Sequence, residues 1–316
     1  MNTPTTSRTG GFTMGPVEWG LLLLLSILWG GSFNLIQLAL RELPPFTLVC
    51  LRMIITTAAL AAVAVALGHS LSQPWRVWRS FAIMGLLNSL VPHSLNAWGQ
   101  TQITSGLAAV LNASAPMFTV IFAHYFLRDE RMNALKIAGV LTGIAGVAVI
   151  IGPSALRGVS PALFGELALV LASMSMAMAG VFGRSLKGVP PLLSATGQAA
   201  WTTLFLLPLA LFTDHPWQLP MPGMVTWLSV AGIALGGTAL GYTIYYRLLA
   251  TSGATNLLLV TFLNPVTALL LGAFFLAEII EPRQVAGMTL IAIGLAAIDG
   301  RIISWLGARL FGLRAG

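Results

Sequence analysis

The chain has 316 residues, of which 57% are hydrophobic and only 8% charged, with a formal net charge of +7 and a mean hydropathy of +0.87. A soluble domain carries roughly 25% charged residues, so this composition excludes a water-soluble globular fold and ties the basic excess to a membrane rather than to nucleic acid. The single cysteine, Cys50, excludes an intramolecular disulfide.

In chain order, residues 1–16 form a polar N-terminal tail. A helix needs roughly 20 apolar residues to cross a hydrocarbon core of about 30 Å. Ten such runs follow, at 17–40, 46–67, 77–99, 103–126, 134–151, 161–183, 192–213, 222–246, 254–276 and 284–305. The first has no small-residue cleavage site after Leu21-Leu22-Leu23-Leu24-Leu25 and reads as a retained span. The runs are continuous rather than alternating, which selects helices over a barrel. Residues 306–316 form a C-terminal tail.

An internal repeat organises these runs. Thr104-Ser105-Gly106 opens one run, Pro116 interrupts it, Glu130 closes it, and Gly139 and Gly146 lie in the next. Thr251-Ser252-Gly253, Pro265, Glu278, Gly287 and Gly294 repeat that order about 148 residues later. Upstream, Leu40-Arg41-Glu42-Leu43-Pro44-Pro45 matches Leu186-Lys187-Gly188-Val189-Pro190-Pro191, and Glu18 matches Glu166. The expected units are 17–153 and 154–305, with five spans each. Five is odd, so the second unit enters the bilayer upside down relative to the first. The fold class expected is an all-α membrane protein with ten transmembrane helices in two inverted five-helix repeats, an arrangement recurrent in secondary transporters. Of the sixteen Lys and Arg residues, twelve fall on the side of the tails, Arg41, Arg157 and Arg283 on the other, and Arg52 within a span; this bias places both termini in the cytoplasm.

The paired Pro-Glu-Gly patterns, together with Trp29-Gly30-Gly31-Ser32-Phe33 in the first run, resemble the EamA family of the drug/metabolite transporter superfamily over residues 17–305. Within it the chain is most similar to bacterial inner-membrane exporters of aromatic and other neutral amino acids. The resemblance implies an export carrier in the cell inner (plasma) membrane with no soluble energy-coupling domain.

Polar residues inside membrane helices are costly and mark protein-facing or water-facing surfaces. The third run is the richest. Asn88, Pro92, Asn96 and Gly99 fall near one face, with His93 and Trp98 beside them, and Pro92 frees a backbone carbonyl for a ligand or water. His93 reads equally as a ligand contact or proton site and as a histidine bonded between helices. In the first run Gly30, Asn34 and Gln37 share a face next to Trp29. Asn112, Tyr242 and Met178 complete the candidate substrate contacts, against core filling for Met178 and helix packing for the glycine-rich eighth run. Pro92, Pro116 and Pro265 are candidate kinks or gates. Glu130 and Glu278 are expected to cap helices or to pair with Arg131 and Arg283. Arg52 either snorkels to the outer surface or attracts a substrate carboxylate.

Neither Lys136 nor Lys187 follows a glycine, so the Walker A pattern is absent, and no cofactor or metal is expected. The expected partners are a small-molecule substrate and the bilayer, with no nucleic acid, for a monomer or weak dimer. Amides and aromatic rings suit an amino acid or related metabolite moved by alternating access. A nucleotide-sugar carrier would need several buried cations where only Arg52 qualifies. An intramembrane enzyme built on Ser89, His93 and Ser94 would lack an inward carboxylate, and a channel or scaffold is the remaining alternative.

Overall fold

The computed structural model describes residues 14–127, 130–156, 158–257 and 259–299, and every regular element among them is helical. In order these are α1 (Pro16–Ala39), α2 (Pro45–Ala66), α3 (Trp75–Met84), a π-helical stretch at Gly85–Leu90 leading into α4 (Val91–Gln100), α5 (Ser105–Asn112), α6 (Ala115–Phe126), α7 (Ala134–Leu156) and α8 (Pro161–Phe182). They continue with α9 (Pro191–Asp214), α10 (Met224–Ala231), a second π-helical stretch at Gly232–Leu240 leading into α11 (Gly241–Leu257), α12 (Leu259–Leu276) and α13 (Pro282–Asp299). Among the described residues, eight helical stretches are long and apolar enough to cross a membrane, which makes this a multi-pass membrane protein. The column 75–100 and α13 are helical too but more polar: the first carries Arg76, Asn88, His93, Asn96 and Gln100, the second Arg283, Gln284 and Asp299. Residues 1–13 and 306–316 of the tails lie outside the described residues, as do Arg8, Arg128, Arg157, Arg301, Arg309 and Arg314 from the orientation argument.

Proline opens α1, α2, α8, α9 and α13, where its missing N–H would be unbonded in any case and its fixed φ already suits a helix. The bundle turns large apolar side chains outward, Phe274 being 82% exposed, as a lipid-facing surface requires. Lipid is as apolar as leucine, so helices associate through close packing and hydrogen bonds rather than by hiding apolar area. One close crossing joins α7 to α13. A Cβ built on Gly139 would stand 2.6 Å from the Gly294 carbonyl oxygen, and one on Gly146 would stand 2.7 Å from that of Gly287. The repeated glycines therefore pack on each other, with the two helices running antiparallel. Hydroxyl pairs join further helices: Ser26 and Thr267 (2.6 Å) link α1 to α12, and Thr57 and Thr203 (3.3 Å) link α2 to α9.

At one end of the bundle, three helix N-termini each receive a carboxylate from another part of the chain. Asp214 accepts from Thr47 N (2.6 Å) and Thr47 Oγ1 (2.9 Å) at the start of α2. Glu42 accepts from Gly223 N (2.7 Å) and Thr226 Oγ1 (2.6 Å) at the start of α10. Glu278 accepts from Ser105 N (2.9 Å), Ser105 Oγ (2.7 Å) and Gly106 N (3.0 Å) at the start of α5. N-terminal N–H groups lack helical partners and carry partial positive charge, so each pairing satisfies donors and favours the anion. Glu278 thus caps a helix, as expected, but bonds Ser105 and Gly106 across the bundle, while Arg283 turns to Glu166 at 3.2 Å and to Glu281. Glu130 likewise pairs with Arg184 and Lys136 rather than with Arg131. Glu18 and Glu166, aligned by the repeat, serve differently: Glu18 accepts from Gly15 N (3.0 Å) at the head of α1, whereas Glu166 is fully buried.

The Thr226 hydroxyl, and after it the Gly223 N–H, hold the Glu42 carboxyl below the usual carboxylate range. A depressed pKa means that the tie stabilises above the unfolded-state value and is lost as pH falls through the folded-state value. The melting difference between the native protein and Glu42→Gln is therefore expected at neutral pH and should vanish on acidification, read as melting temperature against pH in one detergent.

Candidate functional site

The interior holds a cavity of about 330 Å³, walled by α1, α2, the column 85–100, α5, α6, α8, α9, the column 232–245 and α12. The two π-helical stretches begin at Gly85 and Gly232, corresponding positions of the two repeats, and each widens its helix where it meets the cavity or its neighbours. The extra residue releases backbone carbonyls. Gly237 O receives the Trp29 indole N–H at 2.9 Å, Gly85 O receives Thr202 Oγ1 at 3.1 Å, and Leu87 O, five residues before Pro92, receives Ser175 Oγ at 2.7 Å. The carbonyl expected to await a ligand near Pro92 is thus claimed by a neighbouring helix. Trp29 is fixed further by Tyr242, edge-on at 6.4 Å between centroids, and by Tyr245 at 5.6 Å. A Cβ on Gly241 would lie 2.7 Å from Trp29 Nε1, so glycine is what admits the indole.

The cavity wall is apolar with a few convergent polar groups. Asn96 Oδ1, Asn112 Oδ1, Asn264 Oδ1 and Arg52 Nε are buried and have no hydrogen-bond partner. Buried polar atoms are almost always satisfied, and these four belong to residues that line one cavity. Among the described residues that line it, Arg52 is the one Lys or Arg side chain and none is a carboxylate. Its Nη2 reaches Thr238 Oγ1 at 3.4 Å, which directs the guanidinium inward; the snorkelling alternative is not what the side chain adopts. Arg52 can hold a carboxylate, the asparagine oxygens can accept from an ammonium group, and Trp29, Phe33 and Tyr242 offer ring faces.

Of the residues expected from sequence, Trp29, His93, Asn96, Asn112, Tyr242, Pro116 and Pro265 line this cavity, together with Arg52. Asn34 lies elsewhere. Its Nδ2 donates to Ala268 O (3.3 Å) and Gly30 O (3.4 Å) while its Oδ1 accepts from Ser105 Oγ (2.9 Å), so it clasps α1, α12 and α5 in the wall. Asn88 lines an adjoining chamber of about 530 Å³ and donates to Gln198 Oε1 at 3.1 Å. Gln37 faces a third chamber at the capped end. Trp98 is 40% exposed on the outer surface, Pro92 is buried within the column, and Met176 rather than Met178 reaches the cavity, because two residues along a helix turn a side chain to the far face. The two prolines differ also. Helix breaks at Ala113–Ser114 ahead of Pro116, whereas Pro265 sits inside continuous α12, where it has no N–H for the Thr261 carbonyl on the cavity wall.

Sequence reading missed Gln198, Thr238 and Asn264 as cavity residues. Gln198 had a usable signal, an isolated amide in the middle of an apolar run. Thr238 had none beyond its place among glycines.

The model of the EamA-like transporter family matches residues 18–152 and again 163–298. The chain is similar to an uncharacterized transporter of Archaeoglobus fulgidus, 28% identical over 88% of this chain and 97% of that protein. It is similar to the uncharacterized inner membrane transporter YedA of Escherichia coli, at 26% identity over 80% of this chain and 81% of YedA. It is also similar to a probable amino-acid metabolite efflux pump of Salmonella typhimurium, at 28% identity over 92% and 94% of the two chains. A solved crystal structure shares the fold, with a TM-score of 0.63 covering 94% of this chain and 99% of that one at 23% identity.

Proposed function

This chain belongs to the EamA-like transporter family, and from that membership we propose that it is a secondary carrier exporting small neutral zwitterions, amino acids with an aromatic or other apolar side chain, across the cell's inner membrane. The observation that carries the substrate class is the set of unpartnered groups in the central cavity. Arg52 takes the carboxylate, the oxygens of Asn96, Asn112 and Asn264 take the ammonium, and the wall around Trp29 takes the side chain. A single guanidinium does not match a nucleotide sugar, whose phosphates need several cations. The name of the Salmonella relative agrees with the amino-acid reading.

The architecture in this proposal is ten spans in two inverted halves with both termini in the cytoplasm. The antiparallel packing of Gly139 on Gly294 and Gly146 on Gly287 supports it, since each half gives the same helix to one crossing. The central cavity shares Ala115, Pro116, Met176 and Thr261 with the chamber that extends to Gly183 and Asp299. By the positive-inside argument that end is cytoplasmic. At the opposite end Ser105 bonds Asn34 and Glu278, contacts that close the path in this reading. The resting state is therefore inward-facing, and export requires those contacts to part while the cytoplasmic chamber closes.

Equilibrium binding to the purified protein tests the substrate class. L-Phenylalanine is expected to bind more tightly than both its amide and its deaminated acid. Arg52→Gln should weaken L-phenylalanine about tenfold or more, as a lost charge-assisted bond does, while leaving the amide nearly unaffected. Equal binding of all three compounds would remove the zwitterion reading.

A further inference from the structure

A second polar chamber, of about 450 Å³, lies at the capped end between the tips of α1, α4, α5, α8, α12 and α13. Gln100 is 1% exposed, yet neither atom of its amide has a partner; Gln37 Oε1 and Glu166 Oε2 are buried and unpartnered as well. All three residues line this chamber. Its other charged groups are mostly engaged. Glu278 is held by Ser105 and Gly106, and Arg283 is held by Glu166 Oε1 and Glu281. What is left over is one cation, Arg41, which forms no ion pair among the described residues, together with the Glu166 oxygen and the two amides.

We infer that this chamber is a second binding site for the same class of zwitterion, an exit station separate from the central cavity. The inference rests on the export reading for its ligand class, while the leftover groups carry it independently. Arg41 at the rim takes the carboxylate, and the oxygens of Gln37, Gln100 and Glu166 take the ammonium, which satisfies each buried acceptor that the fold leaves open. The station lies on the central path. Gln100 is one helical turn beyond Asn96 on α4, and Gln37 follows Ile36 on α1, while Asn96 and Ile36 both line the central cavity. Ser105, bonded both to Asn34 of α1 and to Glu278 of the chamber wall, ties the two regions together. A solute leaving the central cavity thus exchanges one cation-and-amide cradle for another rather than passing directly to water.

Thr101, exposed on the chamber wall, is a reporter position. Thr101→Cys is made in a Cys50→Ala background, and the purified full-length protein is labelled in detergent with a charged methanethiosulfonate in the presence of L-leucine or L-phenylalanine. Both amino acids are expected to slow labelling. Arg41→Gln and Gln100→Leu should each raise the half-protecting concentration about tenfold or more. Arg41→Lys should restore part of the loss, and Asn112→Ala in the central cavity should leave protection unchanged. Protection that responds to Asn112→Ala and not to Arg41→Gln would overturn the second site. So would the absence of protection in a protein that still performs counterflow, and that result would leave the export reading standing. Protection in a protein with no counterflow would support the site and remove the export reading instead.

Discussion

Gly294→Ala is expected to destabilise this protein by about 3 kcal/mol, the upper end of the range for overpacking a close contact. The added Cβ would lie 2.5 Å from Gly139 O and 2.8 Å from Gly143 N. Both neighbours are backbone atoms of α7, so no side chain can rotate aside. The methyl fits only if α7 and α13 separate, which also loosens the Gly146–Gly287 contact two turns away. Close approach is the main source of helix association inside a bilayer, so that loss has no compensating apolar term. Gly152→Ala is the control. It lies in the same helix α7 with nothing within 4 Å of its Cβ, and it should be neutral or stabilising by up to about 1 kcal/mol through helix propensity. Melting of the purified variants in one detergent compares them; a Gly294→Ala protein that melts with the native would mean that the helices do not cross this closely.

The second large effect is expected at Glu278. Its carboxylate accepts three hydrogen bonds from Ser105 and Gly106, and Ser105 is completely buried. Glu278→Ala leaves the N–H groups of Ser105 and Gly106 without partners at the head of α5, while the Ser105 hydroxyl keeps Asn34 Oδ1 as its acceptor. Each charge-assisted bond is worth about 1.5–3 kcal/mol, and because these bonds act together a total of roughly 3–5 kcal/mol is expected rather than their sum. The surroundings are shaped for this carboxylate. Ala277 adopts a left-handed conformation (φ 53°) that turns the chain back after α12, and a Cβ on Gly272 would stand 2.6 Å from Glu278 Oε2. Glu278→Gln keeps an acceptor and should fall between native and alanine. Glu130→Ala, at the matching repeat position, removes only partly exposed pairs with Arg184 and Lys136, and about 1 kcal/mol or less is expected. Similar melting of Glu278→Ala and Glu130→Ala would contradict the assignment of Glu278 as the bolt of the sealed end.

Much of the frame was legible from residue order alone. Gly139, Gly146, Gly287 and Gly294 stood out as a repeat, and they turn out to be one another's packing partners. The cavity was legible in outline, through Trp29, His93, Asn96, Asn112 and Tyr242. What could not be read was rotation about each helix axis. Nearly uniform apolar runs carry no amphipathic phase, so Asn34 and Met178 read as cavity residues although their neighbours Phe33 and Met176 are the ones that face it. The π-helical stretches at Gly85 and Gly232 shift the phase again, and no local residue pattern announces them. Pairings across the bundle escaped for a related reason. Arg283 is the near sequence neighbour of Glu278, but the fold brings Ser105 to Glu278 and Glu166 to Arg283.

The central claim is that one chamber, holding Arg52 and the unpartnered asparagines, carries a zwitterion between two alternately open sides. Counterflow of labelled L-phenylalanine in proteoliposomes loaded with the unlabelled amino acid tests it most directly. The account predicts transient, saturable accumulation that Arg52→Gln abolishes and that Gly152→Ala leaves intact. Uptake that never exceeds equilibration and rises linearly with concentration, or that proceeds undiminished in Arg52→Gln, would contradict it.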